Sequence, residues 1–287
     1  MLKHIIKALG IIFYDIIKKG SYGCKNKCGR GIKDLHLHSN YIKEERINIE
    51  SIPAILLRPK EEEEKFPTII LYHGWSSNKE AQRLRGLILA TVGFQVLIPD
   101  SIYHGERNPI DYNSNSYLFW DIVFNNIDES SILIESLVNE YKADPDRISL
   151  TGHSMGGFTS AGIFTYNPQI KSVVILNGSF TWDYFNEFLK GKLNLEMTEK
   201  LVEIGERAKK LDPLNKLEAL IDRPILMLHG QSDSLVPVDN QRLFYQKIEP
   251  LYKEKEKIKL IEYPNLNHFV TTNMMEESIL WFKKYGI

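Results

Sequence analysis

A chain of 287 residues, 43% hydrophobic and 25% charged, has the material for a substantial core and an ordinary globular surface. Its formal net charge of -1 provides no global positive field to hold a nucleic-acid backbone and marks no strongly charged partner. Two cysteines, Cys24 and Cys28, are too few for a disulfide framework and fit a reducing, cytoplasmic setting.

Residues 1–19 place Leu2, Ile5, Ile6, Leu9, Ile12, Phe13, Ile16 and Ile17 near the spacing of one helical face. Lys3, Lys7, Asp15, Lys18 and Lys19 break the apolar run, so it matches neither a secretory leader nor a span of about 20 apolar residues. Such a helix packs on the protein's own body, joins a second subunit in a homo-oligomer, or lies on a membrane surface as a peripheral contact. Residues 20–40 read as a connector. Cys24, Cys28, His36 and His38 are potential zinc ligands, but the single residue between the two histidines departs from zinc-site spacing, and no metal is expected.

From residue 41 the pattern changes, and a catalytic domain is expected over residues 41–287. Ile47 and Ile49, then Ile52, Ala54, Leu56 and Leu57, suggest two short strands joined by a tight turn. Four consecutive glutamates within residues 60–65 read as a solvated loop. The short apolar run 67–72 has the character of a buried parallel strand. Helix is expected over 79–91, strand over 94–99, helix over 117–141, strand over 147–151, helix over 155–166 and strand over 172–176. Strands over 224–228 and 258–261 complete the set. This alternation predicts an α/β architecture: a mostly parallel central sheet with helices on both faces. Residues 180–220 are charged and helical where the next strand is due, so they read as a small helical cap inserted before the seventh strand.

Residues 152–156, Gly-His-Ser-Met-Gly, follow a strand pattern and open a helix pattern, the setting in which G-x-S-x-G presents a nucleophilic serine. The turn doubles back so tightly that side chains at Gly152 and Gly156 would collide. Ser154 is therefore the candidate nucleophile. The run from Asp144 to Gly157 resembles the elbow segment of α/β-hydrolases of the dienelactone-hydrolase and prolyl-oligopeptidase-like group. Residues 71–75, 98–107 and 229–237 extend the resemblance over about residues 41–287, with small bacterial carboxylesterases the nearest likeness. The resemblance implies an α/β-hydrolase fold, a small-molecule ester as substrate and no cofactor. Peptide cleavage beside a free N-terminus is the alternative, although such relatives usually carry a large domain ahead of the catalytic one. A non-catalytic binding module is the third reading.

A serine hydroxyl needs an imidazole to take its proton. In this fold the acid and then the histidine follow the serine, and only His229 and His268 do so here. His229 precedes Gly230 at a strand end and is expected to support that turn. His268, in a loop before the last helix, is the candidate base. Asp233 is the only carboxylate in the loop after the seventh strand, with the orienting role; Asp239 falls inside the helix that follows. The backbone N–H of Met155 is one expected oxyanion donor, and the resemblance places the second at Trp75. His104 and Asp100 follow the strand 94–99 and are expected at the pocket rim, with Asp100 bonding local backbone and Arg107 pairing nearby; a substrate contact from His104 is the alternative. Phe180, Trp182, Tyr184, Phe185 and Phe188 suggest either a pocket roof or the cap's own core.

Overall fold

Residues 39–61, 63–193 and 198–287 are described in a computed structural model. The expected helix over residues 1–19 and the group Cys24, Cys28, His36 and His38 lie outside them. Eight strands form one sheet: β1 (Ile42–Ile49), β2 (Ile52–Pro59), β3 (Phe66–Tyr72), β4 (Gln95–Pro99), β5 (Ala143–His153), β6 (Ser172–Leu176), β7 (Ile225–Gly230) and β8 (Ile258–Tyr263). Their spatial order is β1-β2-β4-β3-β5-β6-β7-β8. β1 and β2 form an antiparallel hairpin turned at Glu50, and β2 runs antiparallel to β4. Every other pairing is parallel.

Among the described residues seven α-helices accompany the strands: α1 (Lys79–Thr91), α2 (Phe119–Glu140), α3 (Met155–Tyr166), α4 (Trp182–Leu193), α5 (Glu199–Lys210), α6 (Asp239–Ile248) and α7 (Thr272–Tyr285). The central strands β4, β6 and β7 are buried at every position, which explains their unbroken apolar runs. Side chains of β3, β6 and β7 alternate between two cores. Ile70, Val173, Ile175 and Met227 meet α2, α3 and α6 on one face, while Ile69, Val174, Leu176 and Leu228 meet α1 and α7 on the other. A third cluster caps the carboxyl ends of the strands, where Trp75, Trp120, Met155, Phe158, Trp182, Phe185 and Val236 come together. Open parallel sheets bind ligands at that edge.

Three boundaries differ from the sequence expectation. β1 starts at Ile42 because Glu44 pairs with Arg83, and Glu45 with Arg58, so its charges sit on neighbours rather than in a loop. β5 starts at Ala143, four residues before the expected strand, and the Asp144–Arg147 ion pair ties its first residues together. α2 starts at Phe119, after a single tighter turn over Ser116–Leu118.

Candidate active site

β5 delivers the chain to Ser154, whose φ of 57° and ψ of -121° lie where a side chain is seldom tolerated. Hydrogen bonds overdetermine the turn: Ser154 N donates to Leu176 O at 3.0 Å, and Gly157 N donates to Ser154 O at 2.7 Å. A Cβ on Gly152 would strike the Gly156 carbonyl, and one on Gly156 would strike the carbonyl of Tyr72. The glycines are therefore demanded by backbone packed on backbone. Met155 is the first residue of α3, so its N–H has no acceptor within the helix.

The loop after β3 lies against this turn. A Cβ on Gly74 would sit 3.3 Å from Ser154 Cβ and 3.2 Å from His153 O. His73 anchors the loop: its Nε2 accepts from Ser101 N at 3.0 Å, which puts its proton on Nδ1, 2.9 Å from Gly74 O. Burial holds His73 below the usual imidazole range, consistent with that neutral form. Trp75 is buried among His104, Tyr112 and Phe119, at 5.7, 5.6 and 6.1 Å between ring centres.

Asp100 and Arg107 make the structural bonds expected of them, but Asp100 is buried by its bonds to Lys79 instead of lying at the rim. Asp100 accepts from Lys79 Nζ at 2.5 Å and Lys79 N at 2.9 Å in the interior, and from Glu106 N at 3.0 Å nearer the surface. Arg107 forks onto Glu129 at 2.6 and 2.8 Å. His104 departs from its expected place at the rim. It is fully buried, stacked on Tyr112 at 4.7 Å, and burial pushes its pKa down to about 4. Its neighbours are aromatic, so the ring was drawn inward by packing rather than left open to substrate.

The acid and the base meet directly. His268 Nδ1 donates to Asp233 Oδ2 at 2.7 Å, across 35 residues of sequence. Asp233 Oδ1 accepts from Leu235 N and Val236 N, both at 2.9 Å. Burial opposes ionisation of this carboxyl, but bonds from His229 and His268 outweigh it and hold its pKa well below the carboxylate range. The ring of His268 lies 4.8 Å from that of His153, the residue before Ser154. Burial, then the neighbouring His268, keeps His153 neutral. Ser154, Asp233, His268, Met155 and the Gly74–Trp75 loop thus gather at one edge of the sheet.

Three supporting side chains had no signal in the motif. His229 does more than brace its turn: its Nε2 lies 2.7 Å from Val236 O and 3.3 Å from Asp233 Oδ2. Asn177, after β6, accepts from Gly230 N and donates to Phe269 O, both at 3.0 Å, tying the acid strand to the base loop. Asn267 Oδ1 accepts from Ser234 N at 3.0 Å and His268 N at 2.8 Å. In the cap, Asp212 accepts from Trp182 N and Asp183 N at 3.0 and 2.8 Å and closes the start of α4. The expected cap aromatics divide: Trp182, Phe185 and Phe188 join the cluster over the site, Phe180 stacks on Phe244 in the sheet core, and Tyr184 is exposed.

Comparison with known proteins matches this frame. The prolyl oligopeptidase family model fits residues 125–284. The YitV protein of Bacillus subtilis is 30% identical over 253 residues, covering 85% of this chain and 99% of its own length. Esterase YjfP of Escherichia coli is 26% identical over 251 residues, covering 85% of this chain and 99% of its own. The solved structure of TT1662 from Thermus thermophilus superposes with a TM-score of 0.68 at 18% identity, over 85% of this chain and 97% of that one.

Proposed function

The chain belongs to the prolyl oligopeptidase family of serine hydrolases, built on the α/β-hydrolase fold, and from that premise we propose that it hydrolyses carboxylic esters through an acyl-enzyme on Ser154. One observation carries the reading: Asp233 bonded to His268 Nδ1, with the His268 ring 4.8 Å from His153, next in sequence to Ser154 on its strained turn. That bond leaves His268 Nε2 as the proton acceptor. In the proposed reaction Ser154 Oγ attacks the ester carbonyl carbon while its proton passes to His268 Nε2. The N–H groups of Met155 and Trp75 bind the developing oxyanion. The tetrahedral intermediate collapses, the proton moves from Nε2 to the leaving alcohol, and the acyl group stays on Ser154. Water then attacks with His268 again as base, releasing the acid and restoring the serine.

Ester chemistry is favoured over peptide chemistry by the esterase-named relative whose whole length the chain nearly spans. The family's peptidase name supports the alternative, which the same experiment tests. Nitrophenyl esters and aminoacyl anilides are assayed side by side with native enzyme and Ser154→Ala. The ester is the better substrate on this reading, and Ser154→Ala lowers kcat by about 10⁶-fold, as in a comparable triad enzyme. Preference for the anilides would move the assignment to a peptidase, and undiminished turnover in the variant would remove Ser154 from it.

A further inference from the structure

The cap encloses a space that the proposed chemistry does not use. Between the start of α2 and the helices α4 and α5 lies a cleft of about 90 Å³, walled by Phe119, Trp120, Leu189, Leu201 and Ile204. One water needs ~10–15 Å³, so this cleft accommodates a larger apolar group. Phe119, on its wall, also packs toward the reaction centre. Its ring lies 6.1 Å from Trp75 and 5.4 Å from Phe158, whose N–H donates to Ser154 O at 3.2 Å.

Ser116, Tyr117, Asn186 and Lys190 are the polar residues of the lining, and of their side chains Asn186 holds a buried donor left over. Asn186 is 9% exposed, and its Oδ1 accepts from Trp120 Nε1 at 2.8 Å. An indole N–H only donates, so the amide oxygen must face Trp120 and the NH₂ must turn away from it. That buried Nδ2 has no hydrogen-bond partner among the described residues. A buried donor left unpaired is costly, and native proteins keep few of them. On the opposite wall stands Gly205, inside α5, where an added Cβ would meet nothing within 4 Å. The helix thus leaves its side of the cleft open.

We propose that this cleft receives the apolar arm of the ester substrate, and that Asn186 Nδ2 favours an arm carrying one acceptor oxygen. The proposal rests on the reading of Ser154 for its reaction but not for its binding. Two substrate series tell which side of the ester enters. Nitrophenyl acetate, hexanoate and 3-ethoxypropanoate vary the acyl arm; ethyl, hexyl and 3-ethoxypropyl acetates vary the alcohol arm.

In one series the six-atom arm raises kcat/KM over the short one by at least about tenfold, since each buried CH₂ contributes about fourfold. Gly205→Phe fills the cleft and brings that ratio to within about twofold of unity. Asn186→Asp keeps an oxygen for Trp120 Nε1 but removes the NH₂, and lowers the ether-to-alkyl ratio about five- to tenfold. Ratios cancel any general loss of activity or folded protein. Equilibrium binding of the same esters to Ser154→Ala, with and without Gly205→Phe, reads the cleft without turnover. A chain-length gain absent from both series, or surviving Gly205→Phe, overturns the cleft. Chain-length-dependent binding without hydrolysis by the native enzyme would instead overturn the nucleophile and leave the cleft standing.

Discussion

The catalytic rim and the cap are held by different physics. At the rim, Ser154, Gly74 and the Asp233–His268 pair are fixed by contacts that leave no slack. A Cβ at Gly156 would strike the Tyr72 carbonyl, and both oxygens of Asp233 are engaged. In the cap, α4 and α5 meet α2 mainly through apolar side chains, with the Trp120–Asn186 bond and Arg207 over Phe124 as polar exceptions; a cleft stays open, and a Cβ at Gly205 would meet nothing within 4 Å. Bond-making needs reacting groups placed within fractions of an ångström, which only backbone geometry and hydrogen bonds ensure. Choice among apolar substrates depends on volume, and looser packing suffices.

Asp233→Asn gives the largest effect at the rim. The amide is nearly isosteric, but it no longer selects the His268 tautomer or stabilises the imidazolium, and kcat is expected to fall by about 10⁴-fold. Steady-state ester kinetics reads it; an unchanged kcat would show that the rim's tight bonding is architectural only. The same variant tests linkage. The folded pKa of Asp233 is depressed, so its stabilisation is complete above the ordinary aspartate value and is lost as pH falls through the folded one. Native melting temperature should therefore drop more than that of the variant between about pH 4 and pH 2.

The contrast also explains what the sequence made legible. The elbow was readable because its constraints are local: glycines two positions either side of a serine, between strand and helix patterns. The sheet's order of strands and helices was readable for the same reason, through period and length. Asp233 and His268 were found by loop position, but their bond crosses 35 residues and no periodicity encodes it. Asn177, Asn267 and the second role of His229 were missed because each acts between loops that meet only after folding. In the cap, the Trp120–Asn186 bond spans 66 residues. The position of His104 after a strand end predicts a rim site, whereas aromatic packing decides its burial.

Gly156→Ala is the intermediate case. The added carbon meets backbone of β3, which cannot rotate away, so the elbow or the strand must shift. Destabilisation of about 3 kcal/mol or more is expected by denaturant titration, at the upper end of overpacking costs. A near-neutral result would mean the rim has slack after all.

The same substitution in the cap should have the opposite sign. Gly205 sits inside α5, in a helix whose start is capped by Thr198. Alanine there adds a methyl group that meets nothing within 4 Å, so no packing cost arises. It also removes the backbone freedom that glycine gives the unfolded chain, worth about 1 kcal/mol in a helix interior. For a domain of this size that is a rise in Tm of about 2–4 °C. The gain is small because the methyl leaves most of the cleft unfilled; only a large side chain such as phenylalanine is expected to close it. A fall in Tm on Gly205→Ala would show that the cap is packed as tightly as the rim, and the division between positioned chemistry and tolerant recognition would not hold.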